Sequence, residues 1–259
     1  MGARVAWISI APVKGLGLVH PAAVELGTGG VAANRAFYLV DEDGQMVNGK
    51  RLGGLVRVTP AYDPALETLT LAFPDGTEVA GHVVGAQEVT TSFFGRPVSG
   101  HVVDGPWSEA LSAYFERPLA LVKVAHEGDG VDRGSKAAVS LLSTASVARL
   151  AAALGGGASL DRRRFRMLFG VSGVAAHAED GWVGRRVRLG EAVVAIGGLV
   201  GRCLVTSQDP DTGTVDTDTL GALRSYRRQP ETGEKLPFGV WGGVVQPGRV
   251  ALADVVEPV

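Results

Sequence analysis

Sulfur is scarce in this chain: Cys203 is the only cysteine among 259 residues. One thiol forms no internal disulfide, cannot build a Cys-rich zinc site, and cannot by itself hold an iron–sulfur cluster. Any iron–sulfur chemistry has to be supplied by another protein. The five histidines (His20, His82, His101, His126 and His177) are scattered without ligand-like spacing, so a histidine metal site is not expected. Excess charge is also missing. Twenty-five basic residues face 27 acidic ones, which leaves no field to draw in nucleic acid or an anionic membrane surface. No run approaches the roughly 18 apolar residues of a membrane span. The opening "MGARVAWISIAPVKG" has an apolar stretch broken by Pro12 and Lys14, unlike a signal peptide. These features predict a cytoplasmic, soluble protein with neither nucleic-acid nor membrane partners.

What is present is apolar bulk, 46% of the residues, enough for one large or two modest domains at about 100–200 residues each. Short runs rich in Val, Ile, Leu and aromatics, such as "VAWISI", "AFYLVD", "LETLTLAF" and "EVTTSFF", recur between turn residues at Asp41-Glu42-Asp43-Gly44 and Pro74-Asp75-Gly76. This rhythm predicts a β-barrel or sandwich in the first hundred residues. Helical spacing interrupts it three times. "PWSEALSAYFERP" places Trp107, Leu111, Tyr114 and Phe115 on one face between prolines; "STASVARLAAALGGG" opens on hydroxyl caps and closes on glycines; "DTDTLGALRSYRR" supplies the third. Strand-like runs, from "RFRMLFGV" to "RVALADVV", fill the rest of the second half. The predicted class is mainly β with a few helices (α+β), as two β-barrel-like domains, 1–105 and 106–259.

One motif is set aside. Gly27-Thr28-Gly29-Gly30-Val31-Ala32 matches the G-x-G-x-x-A dinucleotide fingerprint, but the chain runs at once into "AFYLVD". That fingerprint needs a helix to receive the pyrophosphate, and none fits here.

Several cationic and hydroxylic groups are not explained by core formation. Lys14 follows Pro12-Val13, Arg35 precedes a strand, Ser143, Thr144 and Ser146 open a helix, and Arg162, Arg163, Arg164 and Arg166 crowd one segment. Each alone reads as a solvated charge or a helix cap. Together they are the cations and short donors that a phosphorylated ligand requires.

The order of motifs then resembles a known family. "IAPVKGLGL", "NRAFYLVDEDGQMV", "SLLSTAS", "RFRMLFGVSG", "AEDGW", "GRCLVTSQDPDTG", "LRSYR" and "FGVWGGVVQPGRV" follow the sequence of motifs in MOSC-domain proteins. They look most like the two-domain members with an N-terminal barrel, the amidoxime-reducing enzymes among them. The resemblance implies a molybdenum cofactor (molybdopterin) ligated through Cys203, a soft thiolate donor. It implies that Lys14 and Arg35 hold the pterin phosphate, with Ser143, Thr144, Ser146, Arg164, Arg166 and Thr206 as further contacts. Asp209 is a candidate proton donor, although Asp-Pro-Asp-Thr-Gly is also turn chemistry. The activity implied is a molybdenum-dependent oxidoreductase reducing small N-hydroxylated substrates, fed by a separate flavin or iron–sulfur reductase. Gly15, Asn34 and Met167-Leu168 stand where the family usually has Ser, Asp and Pro-Asn. They keep open a non-catalytic carrier of the sulfurated cofactor or of another phosphorylated ligand, and a scaffold repurposed without molybdenum. Pyridoxal phosphate on Lys14 is not expected, because no large α/β domain is visible.

Overall fold

The computed structural model describes residues 2–155, 159–227 and 234–259. Strand is the dominant regular structure. The largest sheet has seven strands in the order Arg4–Ile8, Phe169–Ser172, Val139–Ser143, Pro237–Gln246, Ala192–Gly201, Arg186–Leu189 and Val256–Pro258. Its first and last members approach through an antiparallel bridge between Arg4 and Val255, so the sheet nearly closes into a barrel. The inward residues, among them Val171, Val187, Val194, Ile196 and Val240, form a continuous buried core. Alternation sets this core: Arg186–Leu189 reads exposed, buried, exposed, buried along the strand.

The first half builds a second body. Five strands (Met46–Val47, Phe37–Val40, Ala120–Val124, Arg96–Asp104 and Val84–Phe93) make one sheet, and Thr59–Asp63, Thr68–Ala72 and Glu78–His82 make another. Trp107, at the start of the helix Trp107–Phe115, is completely buried against them and donates from Nε1 to Leu69 O at 3.1 Å. The expected α+β architecture with barrel-like sheets is the one observed.

The three helices fall where the spacing placed them. Thr144–Ala153 is capped by Ser143, whose Oγ accepts from Ser146 N at 3.0 Å, and Thr219–Tyr226 by Asp218. The end of the glycine run (Gly156, Gly157) and Arg228 lie outside the described residues. No helix opens at the glycines of 27–30; Gly27 and Gly30 instead exchange backbone hydrogen bonds in a tight turn.

The sequence halves interleave. Arg4–Ile8 pairs with Phe169–Ser172, and Ala23–Leu26 pairs with Gly248–Ala251. After the first strand the chain crosses to the other body: Val13 bridges Phe37 and Lys14 N donates to Phe37 O at 2.8 Å. Lys14 therefore sits at the seam between the two cores. Among the described residues no helix is long and apolar enough to cross a membrane.

Candidate functional site

A cleft of about 280 Å³ opens along this seam. Its lining brings together six of the residues singled out in the sequence: Lys14, Arg35, Arg164, Arg166, Cys203 and Thr206. Apolar walls come from Phe165, Met167, Val200, Val205 and Trp241, with Phe94 also lining the cleft although two-thirds of its surface is exposed.

The cations share a backbone peculiarity. Arg35 (φ 58°) and Arg166 (φ 50°) both lie in the left-handed region, where a non-glycine residue costs about 1–2 kcal/mol. The surroundings impose it. Arg35 N donates to Ala11 O at 2.7 Å, and its Nη1 donates to Asn34 Oδ1 at 3.1 Å. Asn34, buried, also receives Ala11 N at 3.0 Å, so the amide standing where the family has aspartate orients Arg35 and ties down the crossing segment. Arg35 Nη2 then donates to Arg166 O at 3.2 Å, and Arg166 Nη2 to Leu16 O at 2.7 Å. Among the described residues neither guanidinium is paired with a carboxylate.

The electrostatics follow from that geometry. Burial pulls Lys14 down to about 8; Arg35 and Arg166 push it the same way, and Asp132 pushes back. Burial likewise lowers Arg35 and takes Arg166 and Arg202 to about 9, with Arg35 adding to the effect on Arg166. A guanidinium keeps its proton under ordinary conditions, so these shifts register how poorly the cleft solvates its positive charge. Asp132 is the only carboxylate among the described lining residues. Its carboxylate accepts from Lys14 Nζ, which also donates to Gly130 O at 2.8 Å.

Cys203 is free and exposed, at the entry of the 3-10 helix Leu204–Ser207. Thr206 holds it: both its backbone N and its Oγ1 donate to Cys203 O, at 3.1 and 3.0 Å. Beside it Arg202 donates from Nε to Phe238 O at 2.8 Å and from Nη1 to Phe165 O at 3.1 Å. The loop is then locked onto the first half. Gln208 Nε2 donates to Gly49 O at 2.8 Å, and Gly213 (φ 75°) packs so tightly that a Cβ there would lie 2.0 Å from Gly53 O.

Four of the expected site residues are placed elsewhere. Ser143 and Ser146 are completely buried and serve Glu179, whose Oε1 receives Ser143 N at 3.1 Å and Ser146 Oγ at 2.7 Å. Thr144 faces a separate surface hollow beside Trp7 and Arg162. Asp209 lies outside the main cleft, in a side cavity of about 90 Å³, where its Oδ1 receives Asp211 N and Thr212 N at 3.0 and 2.8 Å. Burial would raise its carboxyl, but the bonds from Thr212 prevail and hold it below the ordinary value, a poor setting for a proton donor. Arg164 is half in this class: its guanidinium forms a two-point pair with Asp216 at 2.6 Å, and its charge is already answered.

Other lining residues were not picked out from the sequence. Arg202 stood unremarked inside the "GRCLVTS" motif, and Asp132 and Arg133 belong to the polar, glycine-rich stretch "HEGDGVDRGSK", which reads as an exposed loop of the kind that often flanks a site. Trp241 also lines the cleft, and among the described residues its buried Nε1 has no acceptor.

Position 15 explains one departure from the family pattern. Gly15 adopts φ 95°, and a Cβ there would meet Leu55 Cδ1 at 2.9 Å, so serine does not fit without displacing Leu55. At position 168 a buried leucine joins the barrel core.

A near-closed barrel joined along a cationic cleft to a second barrel-like body, with one thiol in that cleft, is an architecture with known counterparts. The MOSC domain model matches residues 125–257, and the model of the MOSC N-terminal beta barrel domain matches residues 2–118. The chain belongs to the MOSC family, in its two-domain form. It is similar to mitochondrial amidoxime-reducing component 1 of Mus musculus, 26% identical over 284 residues, which cover 96% of this chain and 80% of that protein. The protein of the same name from Danio rerio is 27% identical over 256 residues, covering 89% and 74%. Among solved structures, the YUAD protein from Bacillus subtilis aligns with 99% of this chain and 94% of its own, at 13% identity and a TM-score of 0.45.

Proposed function

We propose that the cleft binds a phosphate-bearing molybdenum–pterin group and that the protein is an oxidoreductase acting on small N-hydroxylated compounds, with electrons delivered by a separate redox protein. The observation that carries this is the grouping of buried Lys14 with half-buried Arg35 and Arg166, with Asp132 as the single carboxylate among the described residues lining the same cleft as Cys203. Buried charge that the protein leaves unanswered is costly and persists where a ligand answers it. The donor set fits the group: cations for a phosphate and a soft sulfur for the metal.

When bound, the group supplies two-electron chemistry at a metal. The chain's own residues do the rest. Lys14, Arg35 and Arg166 bind and orient the anionic end. Cys203 offers the thiolate, held in place through its carbonyl by Thr206. Phe165, Met167, Val200 and Trp241 keep water away from the enclosed part of the cleft. The names of the relatives, amidoxime-reducing components, support the choice of substrate class.

A carrier of the same group is the second reading, favoured by Leu168, which turns into the core at a position where the family has an asparagine. Metal analysis of protein purified from a host that makes the cofactor, followed by assay with an amidoxime and a chemical reductant, tests both. Molybdenum near one per chain with turnover is the result expected; molybdenum without turnover supports the carrier; its absence overturns both readings.

A further inference from the structure

Asp132 occupies the place where an incoming anion would meet Lys14, yet its own side chain is 54% exposed while that of Lys14 is only 10% exposed. The backbone carrying it is fixed. Arg96 Nη2 donates to Val131 O at 2.8 Å, Lys14 Nζ holds Gly130 O, and a Cβ on Gly130 would come within 1.9 Å of Arg35 O. Asp132 can therefore leave Lys14 by rotating its side chain into water, with no movement of the loop. Arg35 and Arg166 make no hydrogen bond to it; its charge reaches Arg35 only through space, and among the described residues neither guanidinium is hydrogen-bonded to a carboxylate whether or not it stays.

We propose that Asp132 is an internal competitor for the anion end of the cleft and selects dianionic phosphate esters over monoanions. This rests on the reading that the cleft takes a phosphate. The physical basis is a difference in exchange. A monoanion replacing Asp132 at Lys14 trades one unit charge for another. It also competes with a tethered carboxylate, whose effective concentration is at least in the millimolar range. A dianion gains more, because its second charge and third oxygen also reach toward Arg35 and Arg166. The competitor thus costs a monoanion its whole advantage and a dianion only part. A carboxylate metabolite is turned away from the cleft, and a phosphate monoester is admitted.

Calorimetric titration of the full chain with phenyl phosphate, dianionic at pH 7, and with benzoate, a monoanion of similar shape, reads this selectivity. The wild-type chain is expected to bind phenyl phosphate and to ignore benzoate. Asp132→Asn is expected to bind phenyl phosphate about tenfold more tightly and to acquire measurable benzoate affinity, so that the preference shrinks. Asp132→Ser, which cannot carry a charge and offers a smaller partner to Lys14, should behave the same way and serves if the amide variant does not fold. Lys14→Met should abolish phenyl phosphate binding. Unchanged or weaker phenyl phosphate binding in the Asp132 variants, beside clear wild-type binding, overturns the competitor role and leaves the phosphate reading standing. If neither the wild-type chain nor any Asp132 variant binds phenyl phosphate, the phosphate reading and the competitor role fall together.

Discussion

Lys14 shows how much a single side chain's surroundings decide. Held to about 8 by burial, with Arg35 and Arg166 lowering it and Asp132 raising it, it loses its proton as pH climbs through that value. Phosphate affinity should accordingly decline above about pH 8, and titrations between pH 6.5 and 9.5 will show it; a flat profile would exclude Lys14 as the titrating contact. The same shift acts on stability in the opposite sense. Between about 8 and the ordinary 10.5 the unfolded chain binds a proton that the folded chain does not, so Lys14's contribution to stability rises with pH across that window. Below about pH 8 Lys14→Met should be the more stable protein, by up to about 3 kcal/mol, and its advantage should shrink toward pH 10.5 in urea unfolding curves. Cys203 lies at the other extreme. It is exposed, so Cys203→Ser should change stability by less than about 0.5 kcal/mol while lowering the molybdenum retained per chain. Undiminished metal content would remove Cys203 from the ligand set.

Among the elements, the helix start at Ser143 is where the sequence was most misleading. Hydroxyls opening a helix suit a phosphate, and nothing in the local pattern shows that Glu179, from the distant "AEDGW" segment, will be buried completely beside them and accept from the Ser143 backbone N–H and the Ser146 hydroxyl. Ser146→Ala should cost about 1–3 kcal/mol by leaving Glu179 short of a donor, and should leave phenyl phosphate affinity untouched. The turn after Cys203 was easier to read, because Asp before Pro and Gly at the close describe its geometry directly. What the motif did not disclose is that Gly213 presses on Gly53 across the seam. Gly213→Ala should therefore destabilise far more than Gly44→Ala. Both sit at positive φ, but the space around Gly44 is empty, so that change costs only about 1 kcal/mol of backbone strain. Equal losses in denaturant midpoint would show that the clash is absorbed.

Over the whole molecule, the alternation of short apolar runs with turn residues made the β architecture legible, and helical spacing with its caps made all three helices so. Strand partnership was not legible. Nothing in "VAWISI" says that Arg4–Ile8 belongs beside Phe169–Ser172, or that Ala23–Leu26 pairs near the far end of the chain. The cleft escaped for the same reason: Lys14, Arg35, Arg166 and Cys203 lie on four separate segments, and only the order of motifs hinted that they meet. Because each body borrows strands or seals its edge with the other half, heating should give one calorimetric transition. Two resolved transitions would mean that the halves fold independently.

The bridge between Arg4 and Val255 sets a timetable. During synthesis the first strand emerges long before Phe169–Ser172 exists to receive it, and contacts so distant in sequence close late and slowly. Until they close, Lys14 has no fixed position and the seam no walls. The binding cleft is thus a product of segments made far apart in time, and whatever occupies it must be handed over after both have been made.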